Sequence, residues 1–128
     1  MISLILATTL LAMPVCADSR DKADTELQKM LSGRSPGAPV SCIDLGFVSN
    51  VTVVEGKGIV YNVAGRLFLN VPEDPSRIRR DDILVTESVG SRLCEHDAVR
   101  LLDWSSRIPH GYATLGKFVP YSKPMKIR

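Results

Sequence analysis

The chain has 128 residues, with 16 Lys and Arg against 14 Asp and Glu, two His and three Cys. That length holds one domain with a modest core and excludes two. The net charge of +2 is unevenly spread: residues 18–39 carry four charges of each sign, residues 40–99 six basic against nine acidic, and residues 100–128 six basic against one acidic, so a basic end follows a mildly acidic body.

Residues 2–13 are Ile, Leu, Ala, Met and Thr with one Ser, and no charged side chain occurs before Asp18. The stretch is too short for a bilayer, which takes about 20 apolar residues. Pro14 interrupts it just ahead of Val15-Cys16-Ala17, so it reads as the apolar region of a signal peptide over residues 1–17, cleaved after Ala17. Its n-region has only the α-amino group of Met1 as positive charge. Two alternatives stand beside this: a buried apolar segment of a cytosolic protein, and lipidation of Cys16. The second is disfavoured because lipoprotein processing takes a small residue before the cysteine, where this chain has Pro14 and Val15. On the signal-peptide reading the mature chain is periplasmic or secreted and has no integral membrane segment.

In residues 18–39, Ala23, Leu27, Met30 and Leu31 recur at helical spacing among charged residues. Asp18 or Ser19 can cap such a helix and Gly33 can end it; a flexible arm is the other reading. Residues 35–39, Ser-Pro-Gly-Ala-Pro, have the composition of a linker. From Val40 the pattern turns to β. Residues 51–54, 59–63 and 67–71 are short apolar runs separated by glycine-containing gaps of turn length, which predicts a meander of three strands. Alternation places Ile59, Tyr61 and Val63 on one face of the second strand and Leu67, Leu69 and Val71 on one face of the third, the faces expected to line the core. A charged loop spans residues 72–82, and a strand follows at 83–86. Residues 98–104, with Val99, Leu101, Leu102 and Trp104, are expected as a strand buried on one side. Residues 108–112 contain Pro109 and Gly111 and are expected to turn; residues 114–121 form the last strand, and residues 122–128 a basic tail. The fold class is therefore mainly β: a small antiparallel meander over residues 40–121 that curls into a barrel or sandwich, with a short N-terminal helix or arm.

Once Cys16 leaves with the signal, Cys42 and Cys94 remain, and an even count in an exported chain reads first as a disulfide. Closing a loop of about 50 residues contributes roughly 4 kcal/mol in a chain-entropy treatment. The chemistry otherwise on offer is sparse. Cys94-x-His96 is not a structural-zinc spacing, and Glu95-His96-Asp97 reads as a solvated turn. No His-Glu-x-x-His occurs. The carboxylate pairs Glu73-Asp74 and Asp81-Asp82 read as solvated surface charge. No catalytic, cofactor-binding or metal-binding residue is assigned, and no cofactor is expected. Lys117, Lys123, Lys126 and Arg128 interleave with Phe118 and Tyr121, as in single-strand binders, but export argues against a nucleic-acid partner. An acidic surface (lipopolysaccharide, an anionic lipid headgroup or an acidic protein) fits the basic end better, and a plain solubilising tail better still.

Three motifs occur in order: Ser41-Cys42-Ile43, Leu93-Cys94-x-x-Asp97 and Leu115-Gly116-x-Phe118-x-Pro120-Tyr121. Together, over about residues 41–121, they resemble an uncharacterised family of small secreted proteins of Gram-negative bacteria, a domain of unknown function. The resemblance implies an exported β-rich domain in which Cys42 and Cys94 pair. Relatives often carry a second cysteine pair; the corresponding residues 73–76 and 113–114 contain no cysteine. The family supplies no activity or site. Three functional expectations follow: a non-enzymatic exported domain that binds an envelope or protein partner; a secreted inhibitor that blocks a hydrolase with an exposed loop at 72–82 or 105–112; and a small hydrolase that uses His96 or His110 with Ser88, Ser105 or Ser106.

Overall fold

Alternation of apolar residues along short strands decides the architecture. The computed structural model describes residues 4–5, 7–11, 19–87 and 90–124. The expected cleavage point after Ala17, Cys16, Ser88 and the last four residues of the basic tail lie outside them. The elements are α1 (Ser19–Met30), β1 (Ser35–Pro36), β2 (Cys42–Asp44), β3 (Val48–Val54), β4 (Gly58–Val63), β5 (Arg66–Asn70), β6 (Ile83–Thr86), β7 (Arg92–Cys94), β8 (Ala98–Leu102), β9 (Pro109–Thr114) and β10 (Phe118–Ser122). A five-stranded sheet runs in the order β1-β10-β5-β4-β3, a three-stranded sheet in the order β6-β8-β9, and β2 pairs with β7 in a separate ribbon. Every pairing is antiparallel. The fold is mainly β with one short helix, as expected, and takes the form of an open sandwich; among the described residues no sheet closes into a barrel.

The meander forms where predicted. Ala64 and Gly65, both at positive φ, make the two-residue turn between β4 and β5, a geometry whose twist matches that of the strands it joins. Ile59 and Tyr61 of β4 face the main core, with Phe68 of β5 and Phe118 of β10, against Val99, Leu101 and Ala113 of the small sheet and Ile43 and Leu93 of the ribbon. Tyr61 and Phe118 meet edge to face, with ring centroids 5.6 Å apart. The third strand differs from expectation: Phe68 lines this core, while Leu67 and Leu69 face the opposite side and Val71 is exposed. Period two holds, but the face assigned to the core was the wrong one, because both faces of the sheet are covered. On the outer face Val54, Val60 and Leu69 pack against Ala23, with Leu27, Met30, Leu31 and Tyr121 around them. Residues 19–30 are thus a packed helix rather than a free arm, and they are pinned by Lys57–Asp24 at 2.8 Å and Arg80–Glu26 at 3.2 Å.

Three further expectations are corrected. Residues 35–36 are not linker: they add a strand to the edge of β10, with Ser35 opposite Ser122. Residues 109–114 are strand rather than turn, because Pro109 stands at the strand's first position, where no ladder N–H is needed, and the register shifts opposite Leu101 and Leu102. The expected last strand is accordingly split between β9 and β10. Trp104 lies beyond β8 and is 66% exposed; Asp103 ends the strand by capturing the backbone of the turn that follows.

Cys42 and Cys94 are direct cross-strand partners in the β2–β7 ribbon and form a disulfide, 52 residues apart in sequence. At the other junction, Asn70 is fully buried and its side-chain amide brackets one residue: Nδ2–H donates to the Gly116 carbonyl at 2.8 Å, and Oδ1 accepts the Gly116 N–H at 2.9 Å. Gly116 tolerates no side chain, since a Cβ there would stand 2.5 Å from the Val71 carbonyl oxygen.

Two stability outcomes follow. Gly116→Ala is expected to cost about 1–3 kcal/mol, the range for forced overpacking, read as a lowered urea midpoint at unchanged slope. Cys42→Ser and Cys94→Ser should each cost roughly 2–5 kcal/mol, and the double variant no more than either, because all three break one bond; thiol titration of the denatured, unreduced chain should find neither cysteine free.

Candidate functional site

The edge strands β3 and β6 of the two sheets border a common cavity, and there the sandwich buries polar groups. Side chains two apart on a strand share a face, so Asp82, Leu84 and Thr86 look one way from β6 and its approach. With Val53, Tyr61 and Leu45 they line a cavity of about 190 Å³. Asp82 also lines an outer cleft of about 400 Å³ together with Glu55, Arg79, Asp103 and Trp104.

Asp82 is the hinge between these spaces. Its side chain is 2% exposed, and its Oδ1 lies 2.7 Å from Nε2 of His110, itself 19% exposed. The other oxygen accepts the Arg79 N–H at 2.8 Å. His110 reaches it because of the register shift in β9: Leu101 pairs with Gly111 and Leu102 with Pro109, leaving His110 as the extra residue whose side chain is re-aimed. Asp82 is therefore not the solvated surface charge expected of Asp81-Asp82; only Asp81 is exposed. In the same cavity Tyr61 is buried, its hydroxyl has no hydrogen-bond partner among the described residues, and burial pushes its phenol well above the ordinary tyrosine range.

The outer wall of the cleft is the turn between β8 and β9. Asp103 N–H donates to the Ile108 carbonyl at 3.0 Å and Arg107 N–H to the Asp103 carbonyl at 2.8 Å. Asp103 Oδ1 accepts from the hydroxyl and the backbone N–H of both Ser105 and Ser106. These donors, the Ser105 hydroxyl first, hold the Asp103 carboxyl well below the usual carboxylate range. On this fixed turn Trp104 and Ile108 are 66% and 63% exposed. Beyond it Arg100 lies over the exposed Tyr112 ring, 5.9 Å from its centroid, and pairs with Glu87.

The residues singled out in the sequence are mostly dispersed. Ser105 and Ser106 are engaged by Asp103, and among the described residues no serine hydroxyl is hydrogen-bonded to His96 or His110. His96 sits at φ +71° in the β7–β8 turn, donating its N–H to the Leu115 carbonyl at 2.9 Å; its ring is exposed and lies 3.9–4.0 Å from Glu95 and Glu73. Asp97 closes that turn, its Oδ2 accepting the Cys94 N–H at 2.8 Å. Among the described residues no three His, Cys, Asp or Glu side chains are grouped as for a metal. Phe118 is fully buried, so it offers no face for base stacking beside Lys117. Sequence reasoning missed the grouping of Tyr61, Asp82 and His110; its one local signal is Pro109-His110-Gly111, two strand-irregular residues flanking a histidine. Set against known protein families, curated proteins and solved structures, the chain matches none.

Because Asp103 is held in its charged form, the turn's stabilisation is present above the ordinary carboxylate range near pH 4 and is lost as pH falls below it. Trp104 is the only tryptophan, so its fluorescence anisotropy reads the turn. We expect a constant value from pH 7 to about pH 4 and a fall below that, with Asp103→Ala already low at pH 7.

Proposed function

We propose that this chain is an exported, non-enzymatic domain that binds a protein partner through the β8–β9 turn and the cleft beneath it. The observation that carries this reading is Trp104, a large aromatic left exposed on a turn that one carboxylate holds in place. Tryptophan is the residue type most enriched among those that dominate binding energy, and a turn ordered before binding loses little entropy on docking. The same pre-organisation favours a partner with a recess of its own, as for a secreted inhibitor that blocks a hydrolase with the turn at residues 103–108. Of the expected 105–112 loop this is the part that is not strand, and Trp104 stands beside it. The non-enzymatic part is supported by the Ser105 and Ser106 hydroxyls, which both donate to Asp103.

Export over a signal peptide at residues 1–17, into the periplasm or medium, is supported from two sides. Leu4, Ile5, Leu10 and Leu11 are almost fully exposed and contribute nothing to either core. A disulfide joins Cys42 and Cys94, and such bonds persist in oxidising compartments. Among the described residues no helix is long and apolar enough to cross a membrane.

Affinity capture from periplasmic extract with the exported chain tests the proposal. Trp104→Ala should retain the parent's melting temperature within about 2 °C, since an exposed side chain contributes little to stability, and should lose capture by at least tenfold, the loss of about 1.4 kcal/mol or more expected of a binding hot spot. Equal capture by both proteins would remove the turn from the interface.

A further inference from the structure

The β2–β7 ribbon leaves a groove of about 440 Å³ against the large sheet, and this groove shares no residue with the cleft beneath Trp104. Val63, Phe68 and Pro120 line it from the large sheet, and Cys42, Ile43 and Asp44 from β2. One wall is a strand edge without a neighbour. In the ribbon Leu45 N–H donates to the Ser91 carbonyl and Glu95 N–H to the Ser41 carbonyl, both at 2.7 Å. Ladder bonds alternate along a strand, so residues 41, 43 and 45 face β7 and the backbone of Cys42 and Asp44 faces away from it. Val40, the preceding residue on that side, is bonded in both directions to Phe118. The N–H and carbonyl of Cys42 and the N–H of Asp44 have no hydrogen-bond partner among the described residues, although both residues are half-buried. Such an edge is a template for another chain.

The polar side chains of the groove divide by whether they are already engaged. Ser41 donates its hydroxyl to Glu95 at 3.3 Å, and Asp44 accepts the Gly46 N–H at 2.8 Å. Arg66 and Arg92 also line the groove; both are exposed, and neither has a carboxylate partner among the described residues. Arg92 stands directly across the ribbon from Asp44, whose carboxylate is turned to its own 3-10 turn. Arg66 lies over the Phe68 ring, 5.6 Å from its centroid.

We propose that this groove binds an extended acidic peptide segment of a protein partner, which adds a strand to the free edge of β2. Main-chain hydrogen bonds to Cys42 and Asp44 supply the attachment, as in other strand-addition complexes, and side chains supply the choice of sequence. Side chains of an added strand alternate in direction, so apolar ones can cover Phe68 and Val63 while acidic ones meet the two arginines. The charge pattern selects the sign: Arg66 and Arg92 stand against one carboxylate that is already engaged. An acyl chain ending in a carboxylate would suit the apolar floor and the arginines, but it has no N–H or carbonyl for the strand edge. A basic peptide would pair with that edge and be repelled by both guanidinium groups.

Acetyl-Glu-Val-Glu-Val-Glu-amide, titrated into the purified chain and followed by NMR, should shift the amide resonances of Cys42 and Asp44 and the side-chain resonances of Val63 and Phe68. The peptide with Lys in place of Glu, and decanoate as an acyl carboxylate, should each bind roughly tenfold more weakly or worse, a difference of about 1.4 kcal/mol. Only alternate N–H groups of an added strand face its neighbour. N-methylation of the two valine amides and of the three glutamate amides, in separate peptides, should therefore give affinities that differ by about tenfold or more. Arg66→Gln/Arg92→Gln should keep the parent's melting temperature within about 2 °C, since both side chains are exposed, and should bind the acidic and basic peptides equally. Equal binding of the acidic and basic peptides by the parent, equal effects of the two N-methylations, or decanoate binding as tightly as the acidic peptide would each overturn the assignment. So would the absence of shifts around Cys42 and Asp44 at about 5 mM acidic peptide, a concentration that detects any complex of millimolar affinity.

Discussion

The amide of Asn70 closed on the backbone of Gly116 is the constraint from which the sandwich takes its spacing. Asn70 ends β5, and Gly116 lies in the link between β9 of the small sheet and β10 of the large one, so two hydrogen bonds hold one sheet to the other. The approach is close because no side chain intervenes. A Cβ on Gly116 would strike the Val71 carbonyl, and one on Gly58 would come within 2.8 Å of the Asn70 carbonyl. The neighbouring Leu115 then enters the core, while its N–H and carbonyl engage Asp97 and His96 of the β7–β8 turn. That turn begins at Cys94, so the disulfide ribbon is positioned by the same link. Satisfying a buried amide on both sides leaves this junction with no unpaired polar atom to penalise it.

With the sheets held at that end, both faces of the large sheet must be covered, and the chain covers them unequally. The inner face gains the small sheet and the ribbon; the outer face gains one helix whose contribution is Ala23 and a few half-buried side chains. A domain of this size has a high ratio of surface to volume, which makes each added layer valuable. The edge between β3 and β6 receives no such cover among the described residues. There the structure buries Asp82 against His110 and leaves the Tyr61 hydroxyl unpaired, so the polar irregularities collect where packing is incomplete.

Legibility in the sequence followed the range of the interactions. Strands β4, β5 and β6 were readable because alternation and glycine turns are local, and β6 appears with the predicted bounds. The disulfide was readable from the cysteine count. The strand β9 was hidden because Pro109 and Gly111, ordinarily turn residues, here serve a strand start and a bulge. Trp104 was misplaced because apolar character alone extends β8 past Asp103, whereas Asp103-x-Ser105 is the pattern of a side chain that bonds the backbone two residues on and ends a strand. The faces of β5 were inverted because a helix that buries the outer side removes the contrast between core and solvent on which face assignment rests. The Asp82–His110 pair spans 28 residues and depends on a bulge, and Pro109-His110-Gly111, its one local sign, does not point to Asp82 as the partner.

Five aspartates, Asp44, Asp74, Asp82, Asp97 and Asp103, resolve into two kinds once their partners are known. Asp44 caps the 3-10 turn Leu45–Phe47 through the Gly46 N–H, Asp74 caps Pro75–Arg77 through the Ser76 N–H, Asp97 holds the Cys94 N–H, and Asp103 holds those of Ser105 and Ser106. Each acts on its own turn and stays within three residues of its partners, which is how short polar side chains order loops. Asp82 begins the same way, on the Arg79 N–H three residues back. It alone then reaches a side chain from another strand, loses almost all contact with solvent, and borders both the inner cavity and the outer cleft. A turn-forming residue needs none of those three properties. Their coincidence on one carboxylate is what sets the β3–β6 edge apart from the rest of an otherwise structural set of aspartates.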